Sequence, residues 1–164
     1  MKKLFIIRHA KSSWKDNRLK DFDRPLNKRG EKNLEYMSKF FSRKYDKPDY
    51  VLSSPAKRAK ITAEGFCLKL DYPFDKIYFL DELYMASSSD LIKIISNINP
   101  LVNSIIIFGH NPGLTDLVNL IGDKYIENIP TCGIVELETE NNWNVLSVNS
   151  FRIINFFYPK MLDV

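Results

Sequence analysis

Histidine and cysteine are scarce in this chain, with only two of each among 164 residues, and each scarcity excludes a class of chemistry. Cys67 and Cys132 lie far apart and form no CxxC spacing, which argues for free thiols in a reducing compartment and against a disulfide framework. His9 and His110 are separated by about a hundred residues and lack the close spacing of metal ligands. Glycine is also sparse, at six residues, and neither GxxxxGK[ST] nor GxGxxG occurs, so no nucleotide-cradling loop is expected. No apolar run approaches the roughly 20 residues that span a bilayer. The opening LFII stretch is broken at Arg8 and His9, short of the roughly 7–15 apolar residues of a signal peptide. A cytoplasmic protein without cofactor, metal or membrane partner is the expectation.

Charge is present in both signs. Lys and Arg number 24 against 20 Asp and Glu, a net charge of +4. Segments such as KNRLKDFDR and DELYMASSSD mix signs or run acidic, whereas a nucleic-acid surface would gather its cations in one stripe. The mild basicity therefore suits small anionic groups, and no nucleic-acid partner is predicted.

Read for periodicity, the chain alternates strands with helices. LFII, DYVLSS, KIYFL and SIIIFG are short apolar runs of the kind buried on both faces of a sheet. A helix is predicted from Asn27, with Leu34, Met37, Phe41 and Tyr45 on one face and an end before Lys47-Pro48. Ser54-Pro55 reads as the cap and first position of a second helix, Ser87–Asp90 as the capping box of a third, and Asn111-Pro112 as the start of a fourth. After Pro130, GIVELE, WNVLSV and FRIINFF read as three further strands joined by tight turns. The predicted fold is a single α/β domain over residues 1–164, a three-layer sandwich with a mainly parallel central sheet and helices on both faces.

In such sheets, ligands bind beyond the carboxyl ends of the strands. Arg8 and His9 follow the first strand, and Ser53, Ser54 and then Arg58 follow the second. Asp81 and Glu82 follow the third, and Gly109-His110-Asn111-Pro112-Gly113 the fourth. Both histidines thus fall on one edge with two arginines and several helix N-termini. That edge suits a doubly charged tetrahedral anion, because guanidinium forks match phosphate oxygens and helix N-termini favour negative charge. Fixed donors of this kind can stabilise phosphoryl transfer electrostatically. Around the edge, Asp21, Asp23 and Arg24 read as a local ion-pair cluster in the long 10–26 connection that could help shape the mouth of the site. Trp14 and Trp143 read as packing residues, Lys11 and Lys15 as solvated charges that could steer an anion, and Thr131 and Cys132 as pocket wall.

Taken in order, IIRHAKSSW, DFDRPLNKRG, SSPAKRAKITAE, DELY, GHNPG and IPTCG resemble the histidine phosphatase superfamily, most closely its small phosphohistidine phosphatases of SixA type. The resemblance covers nearly the whole chain and implies a phosphoglycerate mutase-like fold. It further implies that His9 is a nucleophile forming a covalent phosphohistidine, that Arg8 and Arg58 clamp the phosphoryl group, and that His110 donates to it. Glu82 takes the position of the general acid by that resemblance, with a cap or salt-bridge role as its rival. Lys15, which stands where larger relatives carry Asn, and Thr131 complete the substrate-binding candidates. The implied activity is metal-independent dephosphorylation, with a phosphohistidine-containing protein as partner. A phosphorylated small molecule handled by a phosphomonoesterase or mutase is the alternative, as is a module that binds phosphohistidine proteins without catalysis.

Overall fold

A computed structural model describes residues 1–164. Its centre is one six-stranded sheet. Strands β1 (Lys2–Arg8), β2 (Tyr50–Ser53), β3 (Tyr78–Phe79) and β4 (Ser104–Gly109) run parallel, and β5 (Ile134–Thr139) and β6 (Arg152–Phe157) follow in antiparallel pairing. The order across the sheet is β3-β2-β4-β1-β5-β6, which places β1 and β4 side by side in the middle.

The strand sequences show why both faces need cover. Along β1, Leu4 and Ile6 enter one core while Phe5 and Ile7 enter the other; along β4, Ile105 and Ile107 alternate with Ile106 and Phe108 in the same way. A continuous apolar run read at the two-residue period of a strand thus supplies two cores at once. Helices α1 (Lys28–Lys44) and α2 (Lys57–Leu70) close one face through Met37, Phe41, Ala63 and Phe66. Helices α3 (Ser88–Ser96) and α4 (Gly113–Ile121) close the other through Leu91, Ile95, Leu117 and Val118. The three-layer α/β architecture expected from the sequence is therefore the observed one.

Side-chain caps account for two of the four helix starts. Asn27 accepts from the Gly30 N–H at 2.7 Å, and Ser87 and Asp90 form the expected capping box. Three expectations differ. Helix α4 begins at Gly113, with Pro112 as its N-cap residue and no side-chain cap, where Asn111-Pro112 were expected as cap and first position. Helix α2 begins at Lys57, not at Pro55, because the Ser54 hydroxyl accepts from Ala56 N–H and faces a histidine ring instead of capping the helix. WNVLSV is not a strand. Trp143 is fully buried in the α3/α4 core and donates from Nε1 to the Val102 carbonyl at 2.7 Å, which pins the segment as a loop while Val145 and Val148 face solvent. A large side chain with a polar handle overrides the local β pattern there. No helix is long and apolar enough to cross a membrane.

Candidate active site

The carboxyl ends of β1, β2 and β4 meet at one place, and the parallel register sets it. Arg8 of β1 lies beside Gly109 of β4, so the next residues, His9 and His110, leave the sheet together; their ring centroids are 5.1 Å apart. Arg58 reaches the same place from the first turn of α2. Arg8, His9 and Arg58 line a pocket of about 210 Å³ together with Lys11, Ser12, Trp14, Arg24 and Thr131. A larger cavity of about 610 Å³ lies at the β2–β3 edge, but no charged side chain lines it.

His9 is held in one tautomer. Its Nδ1 lies 2.7 Å from the Ala10 carbonyl oxygen, a group that can only accept, so Nδ1 carries the proton and Nε2 keeps a free lone pair. The Ala10 peptide is itself fixed, because its N–H donates to Thr62 Oγ1 at 3.0 Å and Thr62 bonds back to the Arg58 carbonyl within α2. Burial, reinforced by Arg58, Arg8 and Arg24, outweighs the bond to Ala10 and lowers the His9 pKa to about 4. His110 is lowered further, to about 3, by burial first and then by His9 and Arg58. Both imidazoles are neutral at pH 7.

The loop 129–133 braces the Arg8-His9 pair from below. Cys132 N–H is shared between the Arg8 and His9 carbonyls at 3.1 and 3.0 Å, and Arg8 Nη1 donates to the Ile129 carbonyl at 3.0 Å. To make these bonds Cys132 adopts a left-handed backbone with φ of 61°, an uncommon and strained setting for a residue with a Cβ. Its thiol is sealed from solvent, and burial pushes its pKa up to about 12; Cys132 is a brace, not the pocket wall expected from the sequence. Thr131, next to it, does line the pocket.

Two buried polar atoms of the site have no partner in the protein, Arg8 Nε and His110 Nδ1. His110 Nε2 lies 2.7 Å from Ser54 Oγ. With Ser54 donating its hydroxyl proton to Nε2, Nδ1 carries the other proton and is a free donor. Buried donors without acceptors are rare in native proteins, and two at one site call for an anion.

Around the mouth, Asp21 organises the cations. It accepts from Arg58 Nη2 at 2.9 Å, from Arg24 Nη1 at 3.1 Å and from the Tyr84 hydroxyl at 2.6 Å, and its backbone carbonyl takes Arg58 Nη1 at 2.7 Å. The bond from Tyr84, followed by those from Arg58 and Arg24, holds the Asp21 carboxyl down at about 2. Arg24 is buried, donates from Nε to the Ser13 carbonyl and stacks on the Trp14 ring at 3.2 Å from its centroid. Trp14 is therefore no core residue: it is 77% exposed and forms a platform at the pocket rim. Gly113 makes this rim possible from the far side, since a Cβ there would sit 1.9 Å from the Ala86 carbonyl. Helix α4 thus packs against the 84–86 segment, and Tyr84 meets the His110 ring edge-on at 5.5 Å.

The structure thus brings together Arg8, His9, Arg58, His110 and Thr131. Glu82 lies exposed in the 3₁₀ turn Asp81–Leu83, its side chain makes no hydrogen bond or ion pair, and it is not among the residues that line the pocket. Lys15 is exposed as well, and Lys11 takes the place at the pocket. The ion-pair cluster expected at the mouth is present through Asp21 and Arg24, though its grip on Arg58 was not foreseen, and Tyr84 and Ser54 are the members that the sequence alone did not assign to the site.

Comparison with known proteins agrees with this geometry. The model of the histidine phosphatase superfamily (branch 1) matches residues 4–96, which hold Arg8, His9 and Arg58. An uncharacterized chloroplastic protein of Arabidopsis thaliana is 30% identical over 151 residues, covering 87% of this chain and 69% of that protein. The structure of a candidate phosphohistidine phosphatase SixA from Agrobacterium tumefaciens superposes with a TM-score of 0.82 at 27% identity, covering 96% of this chain and 98% of the other. The protein histidine phosphatase SixA complexed with tungstate has the same fold, with a TM-score of 0.83 at 21% identity and coverage of 98% and 99%. The chain belongs to the histidine phosphatase superfamily, and among solved structures it is similar to proteins of the SixA type.

Proposed function

We propose that this phosphatase removes a phosphoryl group from protein phosphohistidine, with His9 Nε2 as the attacking atom. The observation that carries the reading is the bond from His9 Nδ1–H to the Ala10 carbonyl, which leaves Nε2 unprotonated in a pocket lined by Arg8 and Arg58. In the first step Nε2 forms a bond to phosphorus as the bond to the substrate's imidazole nitrogen breaks, and that nitrogen takes a proton from solvent. In the second, water attacks phosphorus, the P–Nε2 bond breaks, and the water's proton leaves with hydrogen phosphate or to bulk. Arg8, Arg58 and the Nδ1–H of His110 stabilise the charge on the three equatorial oxygens throughout.

Three features support a protein substrate. The pocket is small and open to solvent, and only residues 80–87 separate β3 from α3, so no insertion between those two elements folds over the site. A protein loop could therefore reach it. An imidazole leaving group also needs less proton donation than an alkoxide, which fits the exposed setting of Glu82. Finally, the Agrobacterium tumefaciens relative carries the name of a phosphohistidine phosphatase.

The test incubates the protein with a phosphohistidine-bearing carrier protein and, separately, with an aryl phosphate, each with a chelator. Phosphate release that is lost in His9→Ala and indifferent to the chelator is expected, together with an acid-labile, base-stable label on acid-quenched enzyme. Release that survives His9→Ala, or an alkali-labile phosphoserine label, would overturn the mechanism. Binding without release would leave a non-catalytic module, and phosphate transfer between small molecules without net release a mutase.

A further inference from the structure

We infer that a second anion subsite adjoins the phosphoryl pocket and takes a carboxylate carried by the same substrate. It is a groove of about 170 Å³ lined by Arg29, Asn33, Pro130, Thr131, Tyr158, Pro159 and Lys160, and it shares Thr131 with the pocket that holds His9. The inference rests on the phosphatase reading for the other half of the substrate.

Asn33 is the decisive residue. It lies on the buried face of α1, where Gly30, Leu34, Met37 and Phe41 set a helical stripe that packs inward. An apolar side chain is the ordinary occupant of such a position. Asn33 is only 4% exposed, yet its amide makes no hydrogen bond within the protein, and the groove is the cavity that it lines. The amide is not sealed, so in the free protein it is left to solvent, and a polar group of a ligand in the groove would take the place of that water. With no protein bond to fix its orientation, the amide is free to turn its NH2 group toward an acceptor in the groove.

The surroundings set the sign of that acceptor. Arg29 and Lys160 are exposed at the rim and neither is in an ion pair with any residue of the chain. No acidic residue lines the groove, and the Tyr158 hydroxyl adds a donor that no protein group engages. Two free cations and two free donors around a groove too small for a folded segment fit a carboxylate on a short stem. Because Thr131 is common to both pockets, this group sits one side chain away from the phosphoryl group, close enough for one substrate to fill both. On a protein substrate it is an acidic side chain near the phosphohistidine; on a small molecule it is a carboxylate of the same compound.

The experiment uses the full-length protein and phosphohistidine peptides of equal length, in which one glutamate is stepped through the positions flanking the phosphohistidine and alanine replaces it in controls. An aryl phosphate with and without a carboxylate on a flexible arm forms a second pair. At one or two positions, glutamate is expected to raise kcat/KM about fivefold, the scale of a partly exposed ion pair. That preference should fall to near unity in Arg29→Ala/Lys160→Ala and in Asn33→Leu. A gain confined to the carboxylated aryl phosphate supports the subsite and assigns the anion to a small molecule. A gain of equal size at every glutamate position indicates diffuse attraction and overturns the subsite, as do equal rates for all members of both pairs, while phosphate release in either case leaves the phosphatase reading standing. If no substrate is hydrolysed, that reading fails instead, and calorimetric titration of the peptides still decides the subsite: equal affinity for the glutamate and alanine peptides overturns it, and a position-specific difference supports it.

Discussion

Arg58 is gripped twice by Asp21, through Nη2 to the carboxylate at 2.9 Å and through Nη1 to the backbone carbonyl at 2.7 Å. The grip fixes the fork of a guanidinium that lines the pocket, and it draws a segment remote in sequence onto the first turn of α2. Asp21→Ala removes the carboxylate half of the grip and also frees Tyr84 and Arg24. Because the Asp21 side chain is 46% exposed, the effect on stability should be small, whereas a misplaced clamp typically costs ten- to a hundredfold in rate. The expected outcome is a fall of about tenfold or more in kcat/KM with an unchanged unfolding midpoint. Asp21→Asn, which keeps acceptor capacity, should lie between. An equal rate in Asp21→Ala would show that the backbone carbonyl alone positions Arg58.

The two lowered histidines make acid a specific stress on this fold. With folded pKa values of about 4 and 3 against the ordinary 6.5, the native state holds fewer protons than the unfolded chain between pH 6.5 and 4. Stability contributed by the neutral imidazoles is present above pH 6.5 and declines as pH falls toward their folded values. Each histidine should account for about 2 kcal/mol lost between pH 7 and pH 5. Asp21, lowered to about 2, adds its own loss only below pH 4. Urea unfolding of wild type and of His110→Gln over this range is the check, with a shallower pH slope expected in the variant. Proton resonances of the two rings should titrate below pH 5 as a coupled pair; a midpoint near 6.5 for either would remove the basis of the prediction.

In the proposed mechanism Ser54 acts on the reaction through His110. Its hydroxyl lies 2.7 Å from Nε2 and fixes the ring so that Nδ1 is the free donor. Ser54→Ala deletes that partner and lets the proton sit on either nitrogen. A drop of about tenfold in kcat is expected with KM little changed, since the donor matters most as charge builds in the transition state. The stability cost should be about 1 kcal/mol, that of one buried hydrogen bond. A change confined to KM would instead place His110 in ground-state binding.

Much of this site was legible in the sequence because strand ends in a parallel sheet collect ligand-binding residues. Once β1 and β4 were recognised as buried strands, Arg8-His9 and Gly109-His110 had to emerge on one edge. Asp21, Arg24 and Trp14 were less legible for a physical reason. Their roles depend on how the 10–26 connection folds back over the strand ends, and an irregular segment has no period to read. Gly30 is a trace of that fold, since a Cβ there would meet the Lys11 carbonyl at 2.1 Å, but close approach is invisible without the partner backbone. The WNVLSV segment failed differently. Its alternation matched a strand, yet burial of one indole outweighed the propensity of the residues around it.

Glu82 offers the sharpest contrast between family resemblance and local geometry. Resemblance makes it the general acid, but it faces solvent in a short 3₁₀ turn and does not line the pocket. A general acid must come within hydrogen-bond reach of the leaving atom, directly or through one water. With a phosphohistidine substrate the leaving imidazole can be protonated from solvent, so Glu82→Gln should keep kcat within about twofold of wild type. With an alkyl phosphate the leaving alkoxide needs a proton in the transition state, and loss of a true acid costs typically ~10²-fold or more. Measuring both substrates on the same variant separates the cases. Equal, small effects mean that Glu82 stays outside the chemistry. A large loss on the alkyl phosphate alone means that the 3₁₀ turn brings Glu82 inward when substrate binds, and a large loss on both would restore it to the reaction on phosphohistidine.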